Sequence, residues 1–224
     1  MTRFNFKVLR LYKDVPFGFK LYTLIRCAFC SFDEIERYVP KRCNVLDVGC
    51  GHGIFANLLA IKSERRHVIG MDIIKKKIEV AKSTISGRKN IEFEKGDFWK
   101  STALKNIGCF TLIDVLYYIP LDEKRRLLQQ LYDNLPAGGK LVIKSIYEFP
   151  RWKYWCSVFH MSVIDKVIHK GLGKNTYFMT RGQYSSLLAD VGFQVDFVDI
   201  NRGYPYSNCL YICTKSKKGA GVNE

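Results

Sequence analysis

The chain has 224 residues, 47% apolar and 25% charged, the balance of a globular protein able to bury a core without disulfide or metal staples. Aromatic residues make up 14%, which excludes disorder as the main state, and 17 Gly with 6 Pro in no period exclude collagen-like chains. Lys and Arg number 36 against 21 Asp and Glu, a net charge of +15 that points to an anionic partner: nucleic acid, a membrane surface or an acidic substrate.

Residues 1–40 read as a basic, aromatic, helical segment, with Phe4, Phe6, Lys7, Arg10, Tyr12, Lys13, Phe17, Phe19, Lys20, Tyr22 and Arg26. Charge interrupts the first residues, and no apolar run reaches the roughly 18 residues of a membrane span. The expectation is a cytoplasmic protein, with peripheral contact on the inner face of the membrane. Cys27 and Cys30 form a C-x-x-C on an apolar helical face, with no second half that would complete a zinc site, so no metal is expected.

From residue 43, apolar β-branched runs alternate with helical periods. Strands are predicted at Cys43–Gly49, His67–Asp72, Ile91–Gly96, Cys109–Val115 and Lys140–Ile146. Helices are predicted at Ile54–Lys62, Ile74–Ser86 and Asp122–Leu135. This alternation predicts an α/β fold: a mostly parallel, doubly wound sheet with helices on both faces. Residues 151–179 break the pattern with Arg151-Trp152-Lys153-Tyr154-Trp155 and a helical period through Lys170. Thr180 and Gln183 have capping-box spacing, and Gly192 ends the helix they start. Phe193–Ile200 and Cys209–Thr214 then read as strands joined too closely to be parallel, so the last strand is antiparallel. Residues 215–224 read as a flexible tail.

The most informative stretch is Val45-Leu46-Asp47-Val48-Gly49-Cys50-Gly51-His52-Gly53, a strand running into three alternate glycines before a helix. Glycines are needed where the chain turns sharply or a ligand comes close, and helix N–H groups face the same point. Asp72 ends the second strand, where a carboxylate can accept both hydroxyls of a ribose. Asp97, with Phe98 beside it, ends the third. The spacing D-x-G-x-G-x-G differs from the dinucleotide pattern G-x-G-x-x-G. Asp47 would repel a pyrophosphate and would suit a cationic cofactor.

These segments resemble the class I S-adenosylmethionine-dependent methyltransferases over residues 40–214. The resemblance rests on Val45–Gly53, Val68–Ile73, Ile91–Phe98, and Leu112–Pro120 with Leu135–Leu141. It implies a Rossmann-like sheet of seven strands, a methyltransferase domain over 41–214, and a lid-like insertion at 151–179. The implied cofactor is S-adenosyl-L-methionine. Gly49, Gly51 and Gly53 would pack against its methionine portion, and Asp47 would orient its ammonium group. Asp72 would take the ribose hydroxyls. Asp97 would accept from the adenine amino group, with Ile73 and Phe98 on the ring faces.

The implied chemistry is in-line displacement of a methyl from a sulfonium, favoured in a dry site when charge is cancelled and needing mainly alignment. Asp114, Tyr117 and Tyr118 follow the fourth strand and are the expected acceptor-facing residues. His160 in the insertion is the candidate base by type. His52 is expected to line the cofactor, and Glu148 is a weaker candidate. The fourth-strand end, Asp114-Val115-Leu116-Tyr117, lacks the tetrad of base-amino methyltransferases. No cysteine stands where a cytosine C5 enzyme needs its nucleophile. The expected acceptor is a small or lipid-like molecule taking the methyl on oxygen or nitrogen. Basic and aromatic residues interleave at the N-terminus and at 151–155, which suits an anionic membrane interface. Nucleic acid ranks behind it, through stacking on single strands. The alternatives are an RNA methyltransferase, or an RNA- or membrane-associated binding protein that keeps the fold without catalysis.

Overall fold

The computed structural model describes residues 3–98, 106–168, 176–201 and 205–216. Three helices come first: α1 (Arg3–Leu11), α2 (Phe17–Phe29) and α3 (Phe32–Glu36). Then β1 (Asn44–Val48), α4 (Ile54–Lys62), β2 (His67–Asp72), α5 (Lys75–Ser83), β3 (Ile91–Lys95) and β4 (Cys109–Ile113) alternate. They are followed by a short 3₁₀ turn at Leu116–Tyr118, α6 (Leu121–Asn134), β5 (Lys140–Ile146), α7 (Arg151–Ile168), α8 (Arg181–Val191), β6 (Phe193–Asp199) and β7 (Asn208–Lys215).

The seven strands form one sheet in the order β3-β2-β1-β4-β5-β7-β6. The first five pair in parallel, and β7 runs antiparallel to both β5 and β6. This is the doubly wound sheet with an antiparallel last strand that the alternation predicts. Four of the five residues of β1 and all five of β4 are buried, as central strands covered on both faces require. Residues Ile54–Ala60 of α4 are buried on every side, which explains the helix's unbroken apolar run. The α8 capping box forms through Thr180 and Gln183, and Gly192 closes that helix with a left-handed φ of 107°.

The N-terminal helices share a core with the sheet. Val8, Tyr12, Cys27, Phe32 and Ile35 pack in one cluster with Val45, Phe55 and Leu59. Arg66, fully buried, ties α3 to this body by pairing with Glu36 at 2.7 Å and donating to the Pro40 and Val39 carbonyls. Lys215 belongs to β7 rather than to a loose tail: it pairs with Phe193, and its ammonium donates to the Tyr132 and Leu135 carbonyls. Residues 217–224 of the expected flexible tail lie outside the described residues.

Candidate active site

A parallel α/β sheet places ligands at the carboxyl ends of its strands, near the point where strand order reverses. Here that point lies between β1 and β4, and a cavity of about 620 Å³ opens there. It is lined by Asp47, Gly49, Gly51, Asp72, Ile73, Asp97 and Phe98 on one side. Arg26, Cys30, Asp114, Tyr117, Lys144 and Asn208 line the other, with Gly18, Leu21 and Ile25 of α2 above. The sequence-predicted cofactor residues are therefore brought together, apart from Gly53, which closes the loop as the N-cap of α4.

The loop geometry explains its glycines. Gly49, Gly51 and Gly53 have φ of +72°, +57° and +80°, a region that disfavours side chains. A Cβ on Gly49 would lie 2.6 Å from Val115 Cγ2, and one on Gly53 would lie 2.5 Å from the Phe93 ring. A Cβ on Gly51 would meet no atom within 4 Å, so this backbone borders open space beside the cavity. The room left there fits the methionine end of S-adenosylmethionine.

The acids of this half are held in place by backbone and side-chain donors. Asp72 accepts the Gly51 N–H through Oδ2 and the Ile74 N–H through Oδ1, both at 2.9 Å. Each oxygen keeps a second lone-pair direction, enough for two ribose hydroxyls. Asp47 is buried and accepts from the Thr111 hydroxyl at 2.6 Å. Burial, helped by the nearby Asp72 charge, pushes its carboxyl up to about 7, against the pull of Thr111 and Arg26. An added cation would relieve that penalty. Ile73 is exposed at the rim, whereas Phe98 is buried against Phe110 and reaches the cavity from the core.

In the other half, Asp114 lines the cavity with its carboxylate held by two cations. Arg26 Nη1 holds Oδ2 at 2.7 Å, and Lys144 Nζ holds Oδ1 at 2.5 Å. Burial alone would raise the Asp114 carboxyl, but Lys144 and Arg26 outweigh it and hold it below the usual range. It is thus an anchor for two cations and a poor proton acceptor near neutral pH. Tyr117 is buried at the wall, against Tyr118 and Phe178, and its carbonyl accepts the Tyr177 N–H at 2.7 Å. Burial and Asp114 raise its hydroxyl well above the ordinary tyrosine value, so it can donate a hydrogen bond but not act as a base.

His52 packs its ring against Phe19 and Tyr22 at the cavity wall. Glu148 accepts the Arg181 N–H at the start of α8 and is not among the cavity residues. His160 falls within α7, but its side chain lies outside the described residues. Cys27 and Cys30 are both buried, with thiols raised by burial, and Cys30 Sγ lies 4.0 Å from Asp114. Among the described residues no group of three or more His, Cys, Asp or Glu side chains is placed to hold a metal ion. Arg26, Lys144 and Asn208 line the cavity although sequence reasoning assigned none of them a role in the site.

Residues 40–192 match the family model described as a methyltransferase domain. The chain belongs to the class I S-adenosylmethionine-dependent methyltransferase family. Among curated relatives, this methyltransferase is 31% identical over 120 residues to carboxy-S-adenosyl-L-methionine synthase of Mannheimia succiniciproducens, covering 51% of this chain and 49% of that protein. It is 24% identical over 172 residues to malonyl-[acyl-carrier protein] O-methyltransferase 1 of Ilyobacter polytropus, covering 75% and 54%. The chain thus spans about half the length of these two relatives. An O-methyltransferase family protein from Burkholderia thailandensis superposes with a TM-score of 0.71 at 16% identity, over 94% of this chain and 63% of that one. Human N-acetylserotonin methyltransferase, solved with its cofactor, gives 0.69 at 19% identity, over 95% and 57%. At such identities the two structures establish the shared fold.

Proposed function

We propose that this protein transfers a methyl group from S-adenosylmethionine to an oxygen or nitrogen of a small or lipid-like acceptor, working at an anionic membrane surface. The observation that carries the reading is one continuous cavity with two chemically different halves. The glycine loop, Asp47, Asp72 and Asp97 line one, and an apolar chamber with a few fixed donors forms the other.

The cofactor supplies an electrophilic methyl group when bound. The chain's own residues do the rest. Asp72 would hold the ribose hydroxyls, and Asp97 the adenine amino group between Ile73 and Phe98. Asp47 would hold the ammonium group, and Gly51 leaves the room for it. Leu21, Ile25, Ile113 and Ile119 would keep water from the chamber, which favours a transfer that cancels charge. Tyr117 would donate to the acceptor and fix its direction. His160 is the proposed base for an acceptor that must lose a proton.

The membrane part of the proposal rests on two helices at the cavity. On α2, Phe17 is 77% exposed and Leu21, Leu24 and Ile25 are also exposed. On α7, Trp152, Trp155 and Phe159 are exposed beside Arg151 and Lys153. No helix among the described residues is long and apolar enough to cross a membrane, so contact would be peripheral.

Calorimetry with S-adenosylhomocysteine tests the enzymatic reading: micromolar binding is expected, and none up to millimolar ligand would overturn it. Co-sedimentation with phosphatidylserine vesicles at low and high salt tests the surface. Salt-sensitive binding is expected, and its absence would remove the membrane from the proposal.

A further inference from the structure

The acceptor half of the cavity carries more donors than the protein itself uses. Arg26 and Lys144 share one carboxylate, Asp114, so the cluster keeps a net charge of +1. The side chain of Lys144 is only 5% exposed and that of Arg26 25%, so this charge is largely withdrawn from solvent. Each group spends one donor on Asp114, and among the described residues neither shows a hydrogen bond for the rest. An unneutralised cation in an apolar chamber is costly unless a ligand answers it.

Asn208 is an independent sign of the same thing. It is 1% exposed, lines the cavity, and its side-chain Nδ2 has no hydrogen-bond partner. Its backbone holds the fold: the N–H donates to Asn201 Oδ1 and the carbonyl accepts from the Ile200 N–H. In the β5–β7 register Asn208 stands opposite Ile146, two residues from Lys144. Lys144 and Asn208 therefore project from the same face of the sheet as diagonal neighbours, about 7–8 Å apart at the backbone. Tyr117 also lines the cavity, and its hydroxyl, raised well above the ordinary value by burial and by Asp114, stays protonated and able to donate.

We infer that the inner end of the cavity is a carboxylate-binding pocket, in which Arg26, Lys144, Asn208 and the Tyr117 hydroxyl hold the acid group of an otherwise apolar acceptor. This rests on the methyltransferase reading and names the class of its acceptor. A net charge of +1 matches a monoanion better than a phosphate monoester, which carries about −1.5 to −2. The sheet order separates this pocket from the cofactor's end. From the glycine-loop strand β1, β5 and β7 are two and three strand spacings away, about 10 and 14 Å. A carboxylate gripped by two cations is a handle. The methyl would go to another oxygen or nitrogen of the same molecule.

The test uses the full chain and three probes in calorimetry: octanoate, octanamide and octyl phosphate, each with and without saturating S-adenosylhomocysteine. Octanoate should bind at least tenfold more tightly than octanamide, and its binding should survive the saturating S-adenosylhomocysteine. Asn208→Ala, checked for folding by its melting curve, removes a side chain whose Nδ2 makes no hydrogen bond within the fold. It should weaken octanoate about tenfold, weaken octanamide less, and leave S-adenosylhomocysteine unchanged. Lys144→Met, checked for folding by its melting curve, should erase the preference for the acid. Equal binding of acid and amide, no response to Asn208→Ala, tighter binding of octyl phosphate, or displacement of octanoate by S-adenosylhomocysteine would each overturn the pocket. Failure of S-adenosylhomocysteine itself to bind would instead overturn the methyltransferase reading.

Discussion

Asp47 couples cofactor binding to a proton. Its carboxyl is pushed up to about 7 by burial, so in the ligand-free protein it is half protonated near neutral pH. A cationic ammonium beside it favours the ionised form and would return its pKa toward about 4. Below pH 7 each binding event must then expel a proton. Each pH unit costs about 1.4 kcal/mol, so affinity should fall about tenfold from pH 8 to pH 6 and nearly tenfold more by pH 5. Calorimetry with S-adenosylhomocysteine at pH 6, in two buffers of different ionisation enthalpy, should detect release of about one proton. Methylthioadenosine lacks the amino-acid portion and should bind with no such dependence. Asp47→Asn should weaken S-adenosylhomocysteine at pH 8 and flatten its pH profile. The same substitution should raise the melting temperature of the ligand-free protein at pH 8. The sign follows because the folded-state pKa lies above the unfolded one. The folded state then holds the proton more tightly between about pH 4 and 7, and stability is gained as pH falls through that window. A flat profile from pH 5 to pH 8, or an equal dependence for methylthioadenosine, would refute the coupling.

Other substitutions separate ligand binding from folding. Asp72→Ala removes two charged acceptors, each worth about 1.5–3 kcal/mol, and should cost at least a hundredfold in S-adenosylhomocysteine affinity. Because Asp72 also holds the Gly51 and Ile74 N–H groups, a small loss of melting temperature should accompany it. Gly49→Ala and Gly53→Ala add a Cβ within 2.6 Å of Val115 or Phe93 at positive φ, and should destabilise by about 1–3 kcal/mol in denaturant titration. Gly51→Ala meets no atom and should cost only about 1 kcal/mol, while weakening the cofactor out of proportion to that loss. Glu36→Ala strands the buried Arg66 guanidinium with backbone carbonyls alone, and should cost about 3–5 kcal/mol in the same titration.

The cofactor half was legible because its signal is local. Asp47 and the three glycines fall within seven residues, Asp72 ends β2, and Asp97 follows β3 by two residues. A parallel sheet buried on both faces writes its strands as plain apolar runs, so element order could be read with small errors at the ends. The acceptor half was not legible for the opposite reason. Arg26 and Lys144 meet Asp114 across separations of 88 and 30 residues, and no spacing rule connects them. Lys144 did carry one usable anomaly. It interrupts the apolar run Lys140–Ile146, and a charge in a central strand needs a partner. Asp114, read from the strand end alone, was expected to face an acceptor; its two cations come from α2 and β5. The N-terminal segment was read by its charge and aromatics. Its buried positions, such as Val8, Tyr12 and Ile35, place it on the core of the fold.

The charge of +15 divides in the folded chain. Arg66 is spent inside, and Lys124, also buried, donates to the Tyr177 carbonyl. Burial lowers the Lys124 ammonium to about 8. Arg26 and Lys144 give the cavity a basic end, whereas Asp47, Asp72 and Asp97 give it an acidic one. Such a cavity sorts its two ligands by repulsion as well as attraction. A sulfonium cofactor is repelled from the β5–β7 end, and an acid is repelled from the β1–β3 end. Asp114, which follows β4 between the two ends, pairs with both cations. Its ion pairs therefore bear on which way round an acceptor enters. Loss of Asp114 should then harm the orientation of the acceptor more than its affinity, because both cations would remain to bind the acid.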